Sequence, residues 1–224
     1  YQHNLDAMVS KINNNTKIIY LANPDNPTGT YFSKIVFERF MKSVPSRVII
    51  LLDEAYFEYA CHIEDYPDSM DYRHDNVITL RTFSKAQGLA GFRVGYGFAN
   101  KDLIQNLMKV KFPFEPSSLG QFAACIAMDD NDHLINSIKI NNSEKQRLIK
   151  FFDEVNLTHI PSVTNFVTIE FNTEDEAFSF CDSMLKRGVI LRYLKGFGLS
   201  RCIRITIGLH EENNFLIKNI RELV

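Results

Sequence analysis

Residues 77–93 read V-I-T-L-R-T-F-S-K-A-Q-G-L-A-G-F-R. The first four form a β-rich apolar run. After it come two hydroxyl residues around an aromatic ring, then a lysine, then small residues leading to a closing arginine. A lysine at the end of a buried strand must stay hydrated, pair with an acid or react, because a bare ammonium is costly to bury. Lys85 therefore directs attention to whatever the neighbouring strand ends carry.

Two upstream segments share the design. Residues 47–52, R-V-I-I-L-L, are continuously apolar, as expected of a strand buried on both faces, and they end in D-E-A-Y at 53–56. Residues 17–22, K-I-I-Y-L-A, stop at N-P-D-N-P-T-G, 23–29, a cluster of turn-formers that no helix or central strand absorbs. Between these strands Ser33 precedes a helical apolar pattern (Ile35, Val36, Phe37, Phe40, Met41) broken by Pro45. Residues 93–99 read as a further strand. Strands alternating with helices over short connections predict an α/β fold with a doubly wound, mostly parallel sheet, whose ligands sit beyond the carboxyl ends of the strands.

The second half changes character. Helical patterns at 102–109 and 118–128 are followed by a longer one from Leu134 to Val155, where Asn141-Asn142 predicts a bend. Beyond it, strand 165–171, helix 174–186, strands 189–194 and 202–207 and helix 211–223 predict a small C-terminal α+β domain. The expected division is a large domain over 1–132 and a small one over 133–224.

The whole chain narrows the function classes. Its 224 residues are 45% hydrophobic, with a formal charge of −2 and no Lys/Arg block, which argues against a nucleic-acid or anionic-membrane footprint. No apolar run reaches membrane-spanning length. Cys61, Cys125, Cys181 and Cys202 lack the spacing of a zinc site or a disulfide framework, so a reducing cytoplasm is expected and no metal is assigned. The six histidines show no metal spacing either.

A lysine can react usefully with pyridoxal phosphate only if an acid keeps the pyridinium nitrogen protonated, and Asp53 ends the preceding strand. Each feature alone has a plainer reading: Lys85 a solvated loop lysine, Asp53 a turn acid, N-P-D-N-P-T-G a tight turn. Asn26, Asp53 and Lys85 at consecutive strand ends of one sheet make the joint reading the stronger one.

The ordered set N-P-D-N-P-T-G (23–29), D-E-A-Y (53–56), R-T-F-S-K-A-Q-G-L-A-G-F-R (81–93), S-S-L-G-Q (117–121), S-V-T-N-F (162–166) and C-I-R-I-T-I-G (202–208) resembles the fold-type-I pyridoxal-phosphate aminotransferases, and within them the histidinol-phosphate aminotransferase branch. The resemblance implies that Lys85 bonds the cofactor and later moves the substrate's α-proton, and that Asp53 holds the pyridine nitrogen. It implies further that Asn26 and Tyr56 bind the ring's phenolic oxygen, and that Thr82, Ser84 and Arg93 cradle its phosphate. Arg204 matches the arginine that binds the substrate's anionic group; its plainer reading is a surface ion pair, and Arg192 and Arg201 could take its place. Asn165 matches a position of local backbone support.

The implied reaction moves an amino group from a small-molecule donor, histidinol phosphate, to a 2-oxo acid, 2-oxoglutarate, in a cytoplasmic homodimer. Alternatives sharing the cofactor residues are a threonine-phosphate decarboxylase-like lyase and an aromatic or general amino-acid aminotransferase. The family's chain begins well before this one, which starts at Tyr1. The expectation is a C-terminal portion of such an enzyme, with a non-catalytic remnant as the reading of another class.

Overall fold

Strands β1 (Ile18–Ala22), β2 (Ile49–Asp53) and β3 (Val77–Thr82) run parallel in the order β1-β2-β3, and β4 (Gly95–Ala99) closes that sheet antiparallel to β3. The register pairs Ala22 with Asp53 and Asp53 with Leu80, so the carboxyl ends of β1, β2 and β3 fall at one edge. The computed structural model describes every residue except Arg73 and Val224.

The chain divides into two compact units, one of residues 2–25 and 31–135, the other of Tyr1, 26–30 and 136–224. In the first, α1 (Leu5–Val9) and α2 (Lys34–Ser43) cover one face of the sheet. α2 runs from Ser33 to the residue before Val44-Pro45, and its Phe37, Phe40 and Met41 pack with Leu21, Ile50 and Leu52. Short helices α3 (Phe57–Ala60) and α4 (Ser69–Tyr72) fill the β2–β3 connection. α5 (Lys101–Val110) and α6 (Ser118–Asp129) follow β4, capped by Asn100 and Ser117, whose side chains accept from Asp102 and Gly120 N–H groups.

One expectation needs correction here. β2 is not buried on both faces: Ile50 and Leu52 are buried, while Ile49, Leu51 and Asp53 are only half so. On the neighbouring β1, Ile18 and Tyr20 are exposed. The continuous apolar run signals two covers, and among the described residues only the α1–α2 side has one.

The second unit is a four-stranded sheet in the order β5 (His159–Ile160), β6 (Phe166–Glu170), β8 (Cys202–Thr206), β7 (Arg192–Tyr193), all antiparallel. Helices α8 (Glu174–Lys186) and α9 (His210–Arg221), with the long α7 (Asn131–Glu154), bury Leu148, Phe152, Met184, Leu216 and Ile220 against Val167, Ile169, Ile203 and Ile205. α7 runs unbroken through Asn141-Asn142 where a bend was expected. Asn141 is buried and donates its amide to the Thr164 carbonyl at 3.3 Å, so a polar residue mid-helix is satisfied sideways rather than by interrupting the helix.

Candidate active site

The carboxyl ends of β2 and β3 gather most of the predicted residues in the first unit. Asp53, the last residue of β2, accepts from the Ala55 N–H at 3.0 Å through Oδ1 and from the Tyr20 phenol at 2.6 Å through Oδ2. Tyr20 lies on β1 two residues before Ala22, the register partner of Asp53, so both side chains stand on the open face of the sheet. Burial first, then the hydrogen bond to Asp53, push the Tyr20 phenol above its ordinary range, which keeps it a donor to that side chain. Tyr20 was not predicted. A tyrosine at a two-residue offset on the same face as a strand-end acid was the available signal.

Tyr56 lies three residues beyond Asp53 and is buried at 5% exposure. The Lys85 amine sits 5.3 Å from the centre of its ring. The amine and the carboxylate thus share one neighbourhood, joined through the Asp53–Tyr56 turn.

The hydroxyl and guanidinium residues follow from the β3–β4 pairing. Thr82 pairs with Gly95, and the Phe83 N–H reaches the Val94 carbonyl at 3.3 Å, so Ser84 and Arg93 both lie just beyond the paired end of β3 and β4. Close strand approach requires glycine at 95, where a Cβ would lie 2.8 Å from the Arg81 carbonyl oxygen. Arg93 takes a left-handed conformation (φ 54°) and donates to the Ala90 carbonyl at 2.8 Å. Thr82 has a local role: its Oγ1 accepts from the Ser84 N–H at 3.1 Å and lies 3.5 Å from the Val94 carbonyl, shaping the loop before Lys85.

Behind these loops lies a buried charge cluster. Arg81 donates through Nε to Glu54 Oε2 at 2.8 Å and through Nη2 to Asp68 Oδ1 at 2.9 Å, with its guanidinium carbon 3.3 Å from the Phe57 ring centre. Burial lifts the Glu54 carboxyl to about 7 although Arg81 pulls it down. A cavity of about 350 Å³ in the same unit, lined by Phe37, Tyr72, His74, Thr79 and Phe98 among others, contains none of the predicted residues; the candidate site is the open strand-end edge.

Asn26 and Arg204 belong to the second unit, where Arg204 Nη1 donates to Asn26 Oδ1. The Asn26 loop is pinned there: Thr168 Oγ1 donates to the Pro27 carbonyl at 2.6 Å and the Val163 N–H to the Gly29 carbonyl at 2.9 Å. With its oxygen held by Arg204, the Asn26 amide keeps its N–H₂ donors for another acceptor. Arg204 lies directly opposite Arg192 in the β7–β8 register. Like charges facing across two strands repel unless an anion joins them. Arg204 Nε is buried without a partner among the described residues. Arg201, by contrast, is engaged with Glu170 at 2.6 Å.

This chemistry suits pyridoxal phosphate: an amine near the Tyr56 ring, a carboxylate at the end of the neighbouring strand, and a hydroxyl and a guanidinium beyond the paired end of β3 and β4. Residues 1–220 match the family described as aminotransferase class I and II. Histidinol-phosphate aminotransferase 2 of Pseudomonas aeruginosa is 40% identical over 99% of this chain and 60% of its own length. The histidinol-phosphate aminotransferase of Geobacillus thermodenitrificans is 38% identical over 100% of this chain and 61% of its own. The crystal structure of histidinol-phosphate aminotransferase from Sinorhizobium meliloti, in complex with pyridoxal-5'-phosphate, superposes with a TM-score of 0.89 at 32% identity, covering 99% of this chain and 62% of that one. The chain spans about 60% of the length of the curated relatives it matches. With a family match over nearly every residue, this chain belongs to the aminotransferase class I and II family.

Proposed function

We propose that this chain is the lysine-bearing portion of a pyridoxal-phosphate-dependent aminotransferase that takes the amino group of histidinol phosphate and gives it to 2-oxoglutarate. The observation that carries the reading is the juxtaposition at the ends of β2 and β3: the Lys85 amine over the Tyr56 ring, three residues from a carboxylate whose two oxygens already hold donors. Bound there, pyridoxal phosphate would supply an aldehyde for amine capture and a ring that withdraws electrons from the substrate's α-carbon.

The chain's own residues have separable tasks. Lys85 would hold the cofactor through its amine and would carry the proton at the substrate's α-carbon. Asp53, whose two oxygens accept from Tyr20 and the Ala55 N–H, would hold the proton on the ring nitrogen. Tyr56 and the Asn26 amide donors orient the ring through its phenolic oxygen. Ser84 and Arg93 bind the cofactor phosphate, with Thr82 setting the loop they share. Arg204, with Arg192 opposite it, takes the substrate's phosphate, since a dianion relieves the repulsion between two facing guanidiniums. A second copy of the chain as partner is supported by exposed Phe112, Phe122, Ile126 and Met128 on and between α5 and α6, and a cytoplasmic location by four unpaired cysteines.

The test is direct. Incubation with pyridoxal phosphate, borohydride reduction and peptide mass spectrometry are expected to place the adduct on Lys85 and to lose it in Lys85→Ala. An unmodified Lys85 refutes the reading and favours a non-catalytic remnant. Amine transfer from histidinol phosphate, scored against other amino donors and against release of carbon dioxide from threonine phosphate, decides the substrate.

A further inference from the structure

Lys85 follows β3 and Asp53 ends β2, and their chemistry depends on a separation that neither segment fixes by itself. The lysine loop is fastened at both ends to acids in and just after the Asp53–Tyr56 turn. At one end Arg81, four residues before Lys85, holds Glu54, the residue after Asp53, with both Nε and Nη2 2.8 Å from Glu54 Oε2. At the other end Gln87, two residues after Lys85, donates to Glu58 Oε1 at 3.0 Å from the start of α3. The backbone adds a bond at the same level, from the Glu54 N–H to the Leu80 carbonyl at 2.8 Å.

Stability alone does not account for this arrangement. The Arg81 and Glu54 side chains are 9% and 1% exposed, and a buried ion pair is commonly no more stabilising than apolar residues of the same volume. What it does supply is geometry: a planar guanidinium fixed by Glu54 on one side, Asp68 on another and the Phe57 ring beneath permits one placement of the β3 end relative to the β2 end. An apolar pair would permit several.

We infer that Arg81 and Glu54 are a positioning pair, setting the distance between the Lys85 amine and the cofactor ring held by Asp53 without touching the cofactor themselves. This rests on the cofactor reading above and extends it to residues with no contact to the bound groups. Displacement by about 1 Å from a productive geometry costs a bond-forming step on the order of a hundred-fold, whereas phosphate binding, spread over several hydrogen bonds that Ser84 and Arg93 can re-form, falls far less.

The experiment follows the rate of Lys85 modification against pyridoxal phosphate concentration, in the wild-type chain, in Arg81→Met, and in the double variant Arg81→Met with Glu54→Met. The double variant removes both charges of the buried pair and leaves only Asp68, whose side chain is 35% exposed, without its Arg81 partner, so it is expected to fold even where the single variant does not; far-UV circular dichroism and the urea midpoint verify this. Expected in the folded double variant is a saturated rate lowered about ten-fold or more, with the half-saturating concentration within about two-fold of wild type. Arg81→Lys, which keeps the charge but loses the fork, is expected to recover only part of the rate. A folded double variant that modifies Lys85 at the wild-type saturated rate overturns the inference, as does an equal weakening of rate and half-saturation, which marks a general structural defect. A wild-type chain that leaves Lys85 unmodified is a separate outcome and removes the cofactor reading itself.

Discussion

Glu144 on α7 gives the sharpest test of the energetics, because one carboxylate there ties two helices together. It is 7% exposed and accepts from Arg147 Nη2 at 2.5 Å, Asn213 Nδ2 at 2.7 Å and His210 Nδ1 at 2.9 Å, the last two on α9. Burial raises its carboxyl, but the bonds from Arg147, Asn213 and His210 outweigh that and hold it at about 2, against an ordinary 4.5. The folded value is the depressed one, so the stabilisation is complete above 4.5 and disappears as pH falls through 2. At about 1.4 kcal/mol per unit, the difference amounts to about 3 kcal/mol at pH 7 and about 1 kcal/mol near pH 3. Glu144→Gln keeps the shape, removes the charge and leaves the buried Asn213 amide with a weaker acceptor. Urea unfolding, with hydrogen exchange of the α9 amides as a local readout, is expected to show the variant about 2–3 kcal/mol less stable at pH 7. Near pH 3 the gap should narrow to about 1 kcal/mol. Parallel pH profiles for the two proteins, or a gap at pH 7 below about 0.5 kcal/mol, would refute the reasoning.

Asp53→Ala is expected to retain the reducible adduct on Lys85 while lowering amine transfer by about a hundred-fold or more, since the carboxylate acts on the ring nitrogen rather than on attachment; wild-type turnover in that variant sinks the assignment. Gly29→Ala places a Cβ 2.6 Å from Ser162 Cβ at a backbone φ of +78°, and is expected to cost about 2–4 kcal/mol by urea unfolding; an unchanged midpoint would show that the loop shifts freely. Lys145 Nζ, 3.3 Å from the Thr164 carbonyl, is lowered to about 8 by burial. An amine lowered in the fold leaves the unfolded chain binding more protons between about 8 and 10.5, so the wild type should gain stability relative to Lys145→Met as pH rises across that window. Equal slopes in the two proteins contradict the burial argument.

How much of this was readable beforehand depended on sequence distance. The strands at 18–22, 49–53 and 77–82 announced themselves because each is an unbroken β-branched or leucine run stopped by polar residues, and α2, α5, α6 and α8 because their apolar periods are long enough to stand out. α1, α3, α4 and β5 did not, since elements of two to five residues carry no period. Lys85, Asp53 and Tyr56 were legible because each sits beside a strand end. Glu54 was in view as a letter of D-E-A-Y, yet its partner Arg81 lies 27 residues away and nothing local pairs them. Tyr20 lies 33 residues from Asp53, and its two-residue offset points to Asp53 only once β1 and β2 are paired in register.

The sequence by itself determined the order of elements, the edge at which the polar residues collect and the chemistry available there, because periodicity and turn residues act over a few neighbours. Tertiary structure alone decided that the N-P-D-N-P-T-G loop is shared between the two units, that Arg192 faces Arg204, that one face of β2 stays open and that Arg81 bridges two loops. Those facts depend on which strands become neighbours and in what register, and a contact between residues far apart in the chain leaves no periodic trace at either end.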